Sequence, residues 1–131
     1  MEKEGAGRKI LVVDDMPESI RLMKKVLEAR GYKVIGVQTG ADAINAAQSE
    51  LPDLILMDVR MPGGIDGLET TRRIKALSQL AHIPILAMTA SVKPEDIHRA
   101  LDAGCVGFIP KPIDIDELPK QAAQYIARAE V

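Results

Sequence analysis

Asp14 and Asp15 stand side by side directly after the aliphatic run Ile10 to Val13. Asp58 follows another such run, Leu54 to Met57. Thr89 follows a third, and Lys111-Pro112 a fourth. Carboxylates at the end of a buried apolar segment are costly unless something positive meets them. If three converge at ~4–5 Å, each pair repels by roughly 3–4 kcal/mol at an effective dielectric near 20. A hard divalent cation with oxygen ligands offsets that repulsion, and Mg²⁺ suits a few carboxylates plus water and phosphate oxygens. In such a cradle Asp58 can serve both as a metal ligand and as a nucleophile toward phosphorus. Lys111 would neutralise phosphoryl oxygens as a point cation, and Thr89 would offer a hydroxyl donor. Taken singly, each has an ordinary explanation: an Asp at a strand end caps a helix, and a Thr or a Lys-Pro pair makes a turn. The order in which all five follow apolar runs is what singles them out.

The elements that must carry them alternate in kind. Lys9–Val13 is short and β-branched, as in a strand buried on both faces. Pro17 fits a first helical turn; Ile20, Met23, Val26 and Leu27 follow at helical spacing, and Gly31 ends the helix. Tyr32–Val37 is a second strand and Gly40–Ser49 an alanine-rich helix. Leu54–Met57 is a third strand ending at Asp58. The loop MPGGIDG leads into a helix with Leu68, Thr71, Ile74 and Leu77 on its inner face. Ile83–Met88 is a fourth strand, Pro94–Ala103 a helix stopped by Gly104, and Val106–Ile109 a fifth strand. Asp114 and Glu117 form a capping box for a last helix with Leu118, Ala122 and Ile126 inward. Pro119 then has to fall within that helix's first turn. The fold class is α/β: five βα units with helical crossovers give a parallel, five-stranded, doubly wound open sheet. Ligand sites in such sheets lie beyond the carboxyl ends of the strands, where these acids, the threonine and the lysine all fall.

Composition narrows the class. The 131 residues suit one domain, with residues 1–7 a loose polar leader and 8–131 the folded unit. Seventeen Lys and Arg face 19 Asp and Glu, and no basic stripe marks a nucleic-acid binder. Cys105 is the single cysteine, expected as a small buried apolar residue, so no intramolecular disulfide forms. No apolar run is long enough to span a bilayer, and a cytoplasmic protein is expected. Aromatics make up 2% of the chain, leaving Met57, Met61 and Met88 to fill gaps around the site. His82 and His98 are expected on the surface.

The stretches ILVVDD, DLILMDVRMPGGIDGLE, PILAMTA and AGCVGFIPKPID resemble the receiver domain of bacterial two-component response regulators, over residues 8 to 129. The resemblance implies a flavodoxin-like, CheY-like strand order, 2-1-3-4-5. It implies that Asp58 accepts a phosphoryl group from a phosphohistidine on a sensor histidine kinase or a histidine phosphotransfer protein. Asp15 would bind Mg²⁺ directly, Asp14 mostly through water, and the Arg60 backbone carbonyl would be a further ligand. Thr89 would be the switch hydroxyl and Phe108 the switch aromatic. Lys111 would be the salt-bridging lysine, with a cis bond to Pro112. Such a domain is a signalling device and no enzyme toward free substrates; it catalyses only its own phosphorylation and dephosphorylation. The kinase or phosphotransfer partner is expected near Pro17, Ile20, Pro112 and Ile113. A downstream protein target is expected on the face of the fourth helix, fifth strand and last helix, with no direct nucleic acid and no membrane. Gly63-Gly64 makes the loop after Asp58 one residue longer than the common form. Arg60 and Ser91 occupy positions that influence phosphoryl loss, and a bulky Arg60 implies a long-lived phospho-form. Val106-Gly107 and Lys120-Gln121 replace the charges of DNA-binding members that dimerise through that face, which favours a stand-alone receiver or one excised from a hybrid histidine kinase. The alternative of another class is a small Mg²⁺-dependent phosphatase working through an aspartyl phosphate; Arg60, where such enzymes place an acid, argues against it.

Overall fold

The computed structural model describes residues 4–130. Strands β1 (Lys9–Val13), β2 (Lys33–Val37), β3 (Leu54–Asp58), β4 (Ile85–Thr89) and β5 (Gly107–Pro110) alternate with helices α1 (Pro17–Glu28), α2 (Gly40–Glu50), α3 (Gly67–Lys75), α4 (Pro94–Ala103) and α5 (Glu117–Ala129). All pairings are parallel, in the order β2-β1-β3-β4-β5. The winding reverses at β1, so β1 and β3 sit side by side and bring their ends, Asp14 and Asp58, to one rim.

The near-continuous apolar strands are explained by two separate cores. Alternate residues point to opposite faces. Ile10, Val12, Leu54, Leu56, Leu86 and Met88 pack under Met23 and Leu27 of α1 and Leu118, Ala122 and Ile126 of α5. Leu11, Val13, Ile55, Met57, Ile85 and Ala87 pack under Ala43 and Ala47 of α2, Ile74 of α3 and Ala100 of α4. Met61, Met88 and Cys105 are buried as well, while His82 and His98 are exposed.

Several boundaries differ from the sequence expectation, each for a local reason. The apolar spacing continues through Leu77, but α3 ends at Lys75, and the chain winds on in tight turns in which the Leu77 and Leu80 amides donate three residues back. Ile83 belongs to the last of those turns, and Pro84 has no amide to give, so β4 begins at Ile85. Val106 donates to the Ile85 carbonyl but falls just outside β5. The Asp114 carboxylate accepts from the Asp116 and Glu117 amides. The reciprocal half of the capping box is missing, because Glu117 pairs with Lys120 instead. Pro119 is the third residue of α5, inside the first turn, where its missing N–H leaves nothing unpaired. Of the expected leader, residues 1–3 lie outside the described residues. Residues 4–7 form turns, and Gly5 is buried against Tyr32 with its amide donating to the Arg30 carbonyl. Among the described residues no helix is long and apolar enough to cross a membrane.

Candidate functional site

The parallel register delivers the site. Asp14 follows β1 with its amide held by the Val37 carbonyl at 3.1 Å. Asp58 is the last residue of β3, paired with Met88 across the ladder. Carboxylate oxygens of Asp14, Asp15 and Asp58 all lie within 4.8 Å of one another. Asp14 is fully buried and Asp58 nearly so, whereas Asp15 is half-buried on the solvent side. One Asp14 oxygen accepts the Met16 amide at 2.9 Å, and one Asp58 oxygen accepts the Arg60 amide at 3.3 Å. The 58–60 turn therefore closes over the carboxylate, with the Arg60 side chain exposed.

Lys111 crosses to this cluster. Its amide donates to the Thr89 carbonyl at 2.8 Å, which seats it beyond β5 level with the end of β4. The ammonium reaches Asp58 Oδ1 at 3.1 Å and Asp14 Oδ2 at 3.4 Å. The Lys111–Pro112 bond is cis. Burial pulls the Lys111 ammonium down, but the two carboxylates outweigh it and hold its pKa above the ordinary lysine range. Three carboxylates against one ammonium leave a local excess of two negative charges. Burial pushes the Asp58 carboxyl up to about 6, Asp14 adds to the rise, and Lys111 and the Arg60 amide only partly oppose it. Burial, the largest cause of the rise, disfavours the carboxylate even with a lysine at 3.1 Å, and a further cation would favour it. A set of hard oxygen donors with that excess of negative charge fits a divalent cation such as Mg²⁺.

Two residues expected to switch stand beside the cluster rather than in it. Thr89 ends β4, and its hydroxyl is bonded within its own loop, donating to the Ser91 carbonyl at 3.0 Å and accepting the Ser91 amide at 3.1 Å. Phe108 lies on β5 next to Ala87, partly buried against the core beneath α2–α4. One positioning residue escapes the sequence reading, although the DG pair is visible. Gly67, capped by Asp66, opens α3 with its amide on the Val59 carbonyl. A Cβ placed there would come within 1.9 Å of the Asp58 carbonyl oxygen. Only glycine lets α3 start so close under the end of β3.

The sequence pattern of the response regulator receiver domain matches residues 10–123. The chain is 34% identical over 122 residues to the polar-differentiation response regulator DivK of Brucella ovis, spanning 93% of this chain and 98% of that one. Its fold superposes on the chemotaxis response regulator CheY4 of Vibrio cholerae with a TM-score of 0.85 at 30% identity, covering 90% of this chain and 98% of that one. It also superposes on the receiver domain of a signal transduction histidine kinase from Syntrophus aciditrophicus, with a TM-score of 0.84 at 32% identity over 93% and 92% of the two chains. Built on the order β2-β1-β3-β4-β5 with its acids gathered at the switch point, the chain belongs to the response regulator receiver domain family.

Proposed function

We propose that Asp58 takes a phosphoryl group from a phosphohistidine on a histidine kinase or phosphotransfer protein, and that the charge it gains drives a change of shape. The observation that carries the reading is the Asp14–Asp15–Asp58 cluster, two of its three acids buried, with a single ammonium at 3.1 Å from Asp58. An Asp58 oxygen forms the O–P bond as the P–N bond to the donor imidazole breaks, and the imidazole takes a proton from solvent. The group adds about −1.5 to −2 charges. Lys111, already poised on Asp58, meets part of that charge without reorganising. A Mg²⁺ held by Asp14, Asp15, Asp58 and the Arg60 backbone carbonyl would supply the rest of the neutralisation. Thr89 then leaves its own loop for the phosphoryl oxygens, Phe108 moves inward behind it, and the α4–β5–α5 face presents a new surface to a target protein. The donor docks beside the acceptor, where Met16 and Ile115 are exposed and Ile20 and Ile113 partly so.

Acetyl phosphate with Mg²⁺, followed by intact mass, tests this. The wild type gains the mass of one phosphoryl group and Asp58→Asn gains none; an adduct that persists in Asp58→Asn defeats the assignment. Timing the loss of the adduct tests Arg60 as well: Arg60→Asn, with a smaller side chain beside the attacking water, loses phosphate faster than the wild type.

A further inference from the structure

The Thr89 hydroxyl has already spent its hydrogen. A hydroxyl carries one donor, and that of Thr89 goes to the Ser91 carbonyl at 3.0 Å. Thr89 can donate to a phosphoryl oxygen only by letting Ser91 go. Ser91 is not free to move aside. Its own hydroxyl donates to Asp96 Oδ2 at 2.5 Å and accepts the Lys93 amide at 3.4 Å. Asp96 lies in the first turn of α4, and its other oxygen accepts from Arg99 at 3.3 Å. A continuous chain of bonds thus runs from the end of β4 into α4. Glu95, the other acid of that turn, is exposed and has no ion pair among the described residues.

We propose that Asp96 is a positioning residue: by anchoring Ser91, it keeps the Thr89 hydroxyl turned into the β4–α4 loop, and release of this latch accompanies capture of the phosphoryl group. The proposal rests on the reading of Asp58 as acceptor and Thr89 as its hydroxyl partner. The coupling is reciprocal. A partner that grips the start of α4 and draws Asp96 off Ser91 raises the affinity of Asp58 for a phosphoryl group, and a phosphoryl group loosens the start of α4.

Beryllofluoride with Mg²⁺, a non-covalent stand-in for the phosphoryl group, reads the latch through its apparent Kd, followed by amide NMR. A state that must first be released binds more weakly by the fraction released. Asp96→Ala is expected to bind about five-fold tighter than the wild type, the scale of one net hydrogen bond. Asp96→Asn keeps an acceptor oxygen and returns to the wild-type Kd. Ser91→Ala breaks the same bond from the other end, should Asp96→Ala fray α4, and tightens binding alike. Glu95→Gln removes a charge from the same turn and leaves Kd unchanged. In a Thr89→Val background the effect of Asp96→Ala disappears, which a merely structural role for Asp96 would not produce. An unchanged or weaker Kd in both Asp96→Ala and Ser91→Ala, or a tightening that persists without the Thr89 hydroxyl, overturns the latch alone. Failure of the wild type to bind beryllofluoride overturns the acceptor site, and the latch with it.

Discussion

The two rims of the sheet both carry charge, and they balance it differently. At the amino ends of the strands Arg8 meets Asp53 and Glu130, Lys9 meets Glu50, and Lys33 reaches the same Glu50. That is three cations for three acids, all of them at least 31% exposed. The Asp53 carboxylate also accepts the Lys9 amide at 2.8 Å, stitching β1 to the turn before β3. At the carboxyl ends three acids cluster with one lysine, which reaches the two that are buried. Acids alone do not mark a site. The imbalance does, because a buried excess of one sign is tolerable only if the missing charge arrives from outside.

Removing the one lysine is the strongest way to test this contrast. Lys111→Met, measured by urea unfolding in a metal chelator, is expected to cost about 3 kcal/mol, since it leaves the cluster with no cation at all. Saturating Mg²⁺ should return a substantial part, because binding to the folded state adds to stability by mass action. Arg8→Met on the opposite rim should cost less than about 1 kcal/mol, as solvent-screened pairs do, and respond little to Mg²⁺. Equal costs at the two rims would erase the distinction.

Removing one of the three acids should act in the opposite direction. The Asp58 carboxyl is raised from 3.8 to about 6 by folding, chiefly through burial. Its charged form is therefore disfavoured in the folded state, and folding takes up a proton between those pH values. Stability falls as pH rises through that window and then levels off above about 6. Asp58→Asn has no such charge to bury. In the absence of divalent ions it should be more stable than the wild type by about 2 kcal/mol at pH 8. The gain should shrink as pH falls below 6 and be gone near pH 4. A destabilised Asp58→Asn at pH 8 would mean that Lys111 already satisfies the cluster.

How far the sequence could carry this reading depends on the kind of interaction. Strands buried on both faces leave unbroken apolar runs such as ILVV, and an acid that ends such a run can be placed on a rim without any coordinates. The strand order came from resemblance, because local periodicity does not say which strand neighbours which. Three things stayed out of reach. Adjacent Asp14 and Asp15 look alike in sequence, yet one is fully buried and the other is not, and that depends on how the loop after β1 turns. Gly67 reads as a turn residue, while its approach to the Asp58 carbonyl exists only once α3 has docked. The Ser91–Asp96 bond joins a loop to a helix five residues on, a spacing with no periodic signature. Asp96 reads simply as an acid favoured near a helix N-terminus.

The smallest expected effect belongs to the balanced rim and concerns backbone instead of charge. Leu51 caps α2 in the left-handed region, φ 49° and ψ 61°, with its amide on the Ala47 carbonyl. It is the one non-glycine residue with positive φ among those described, and the residue is 57% exposed. A left-handed cap of this kind favours glycine, which carries no Cβ to crowd the carbonyl. Little burial is lost on truncation, so Leu51→Gly should gain about 0.5 kcal/mol, after the extra freedom glycine gives the unfolded chain is subtracted. The measurement is a shift of the urea midpoint at constant slope. Leu51→Ala separates the causes: it removes the same exposed methyls but keeps the Cβ, and should gain nothing. Because the site lies at the opposite ends of the strands, neither variant should alter acetyl phosphate labelling. If either did, the amino-terminal rim would not be the independent, charge-balanced base that its ion pairs describe.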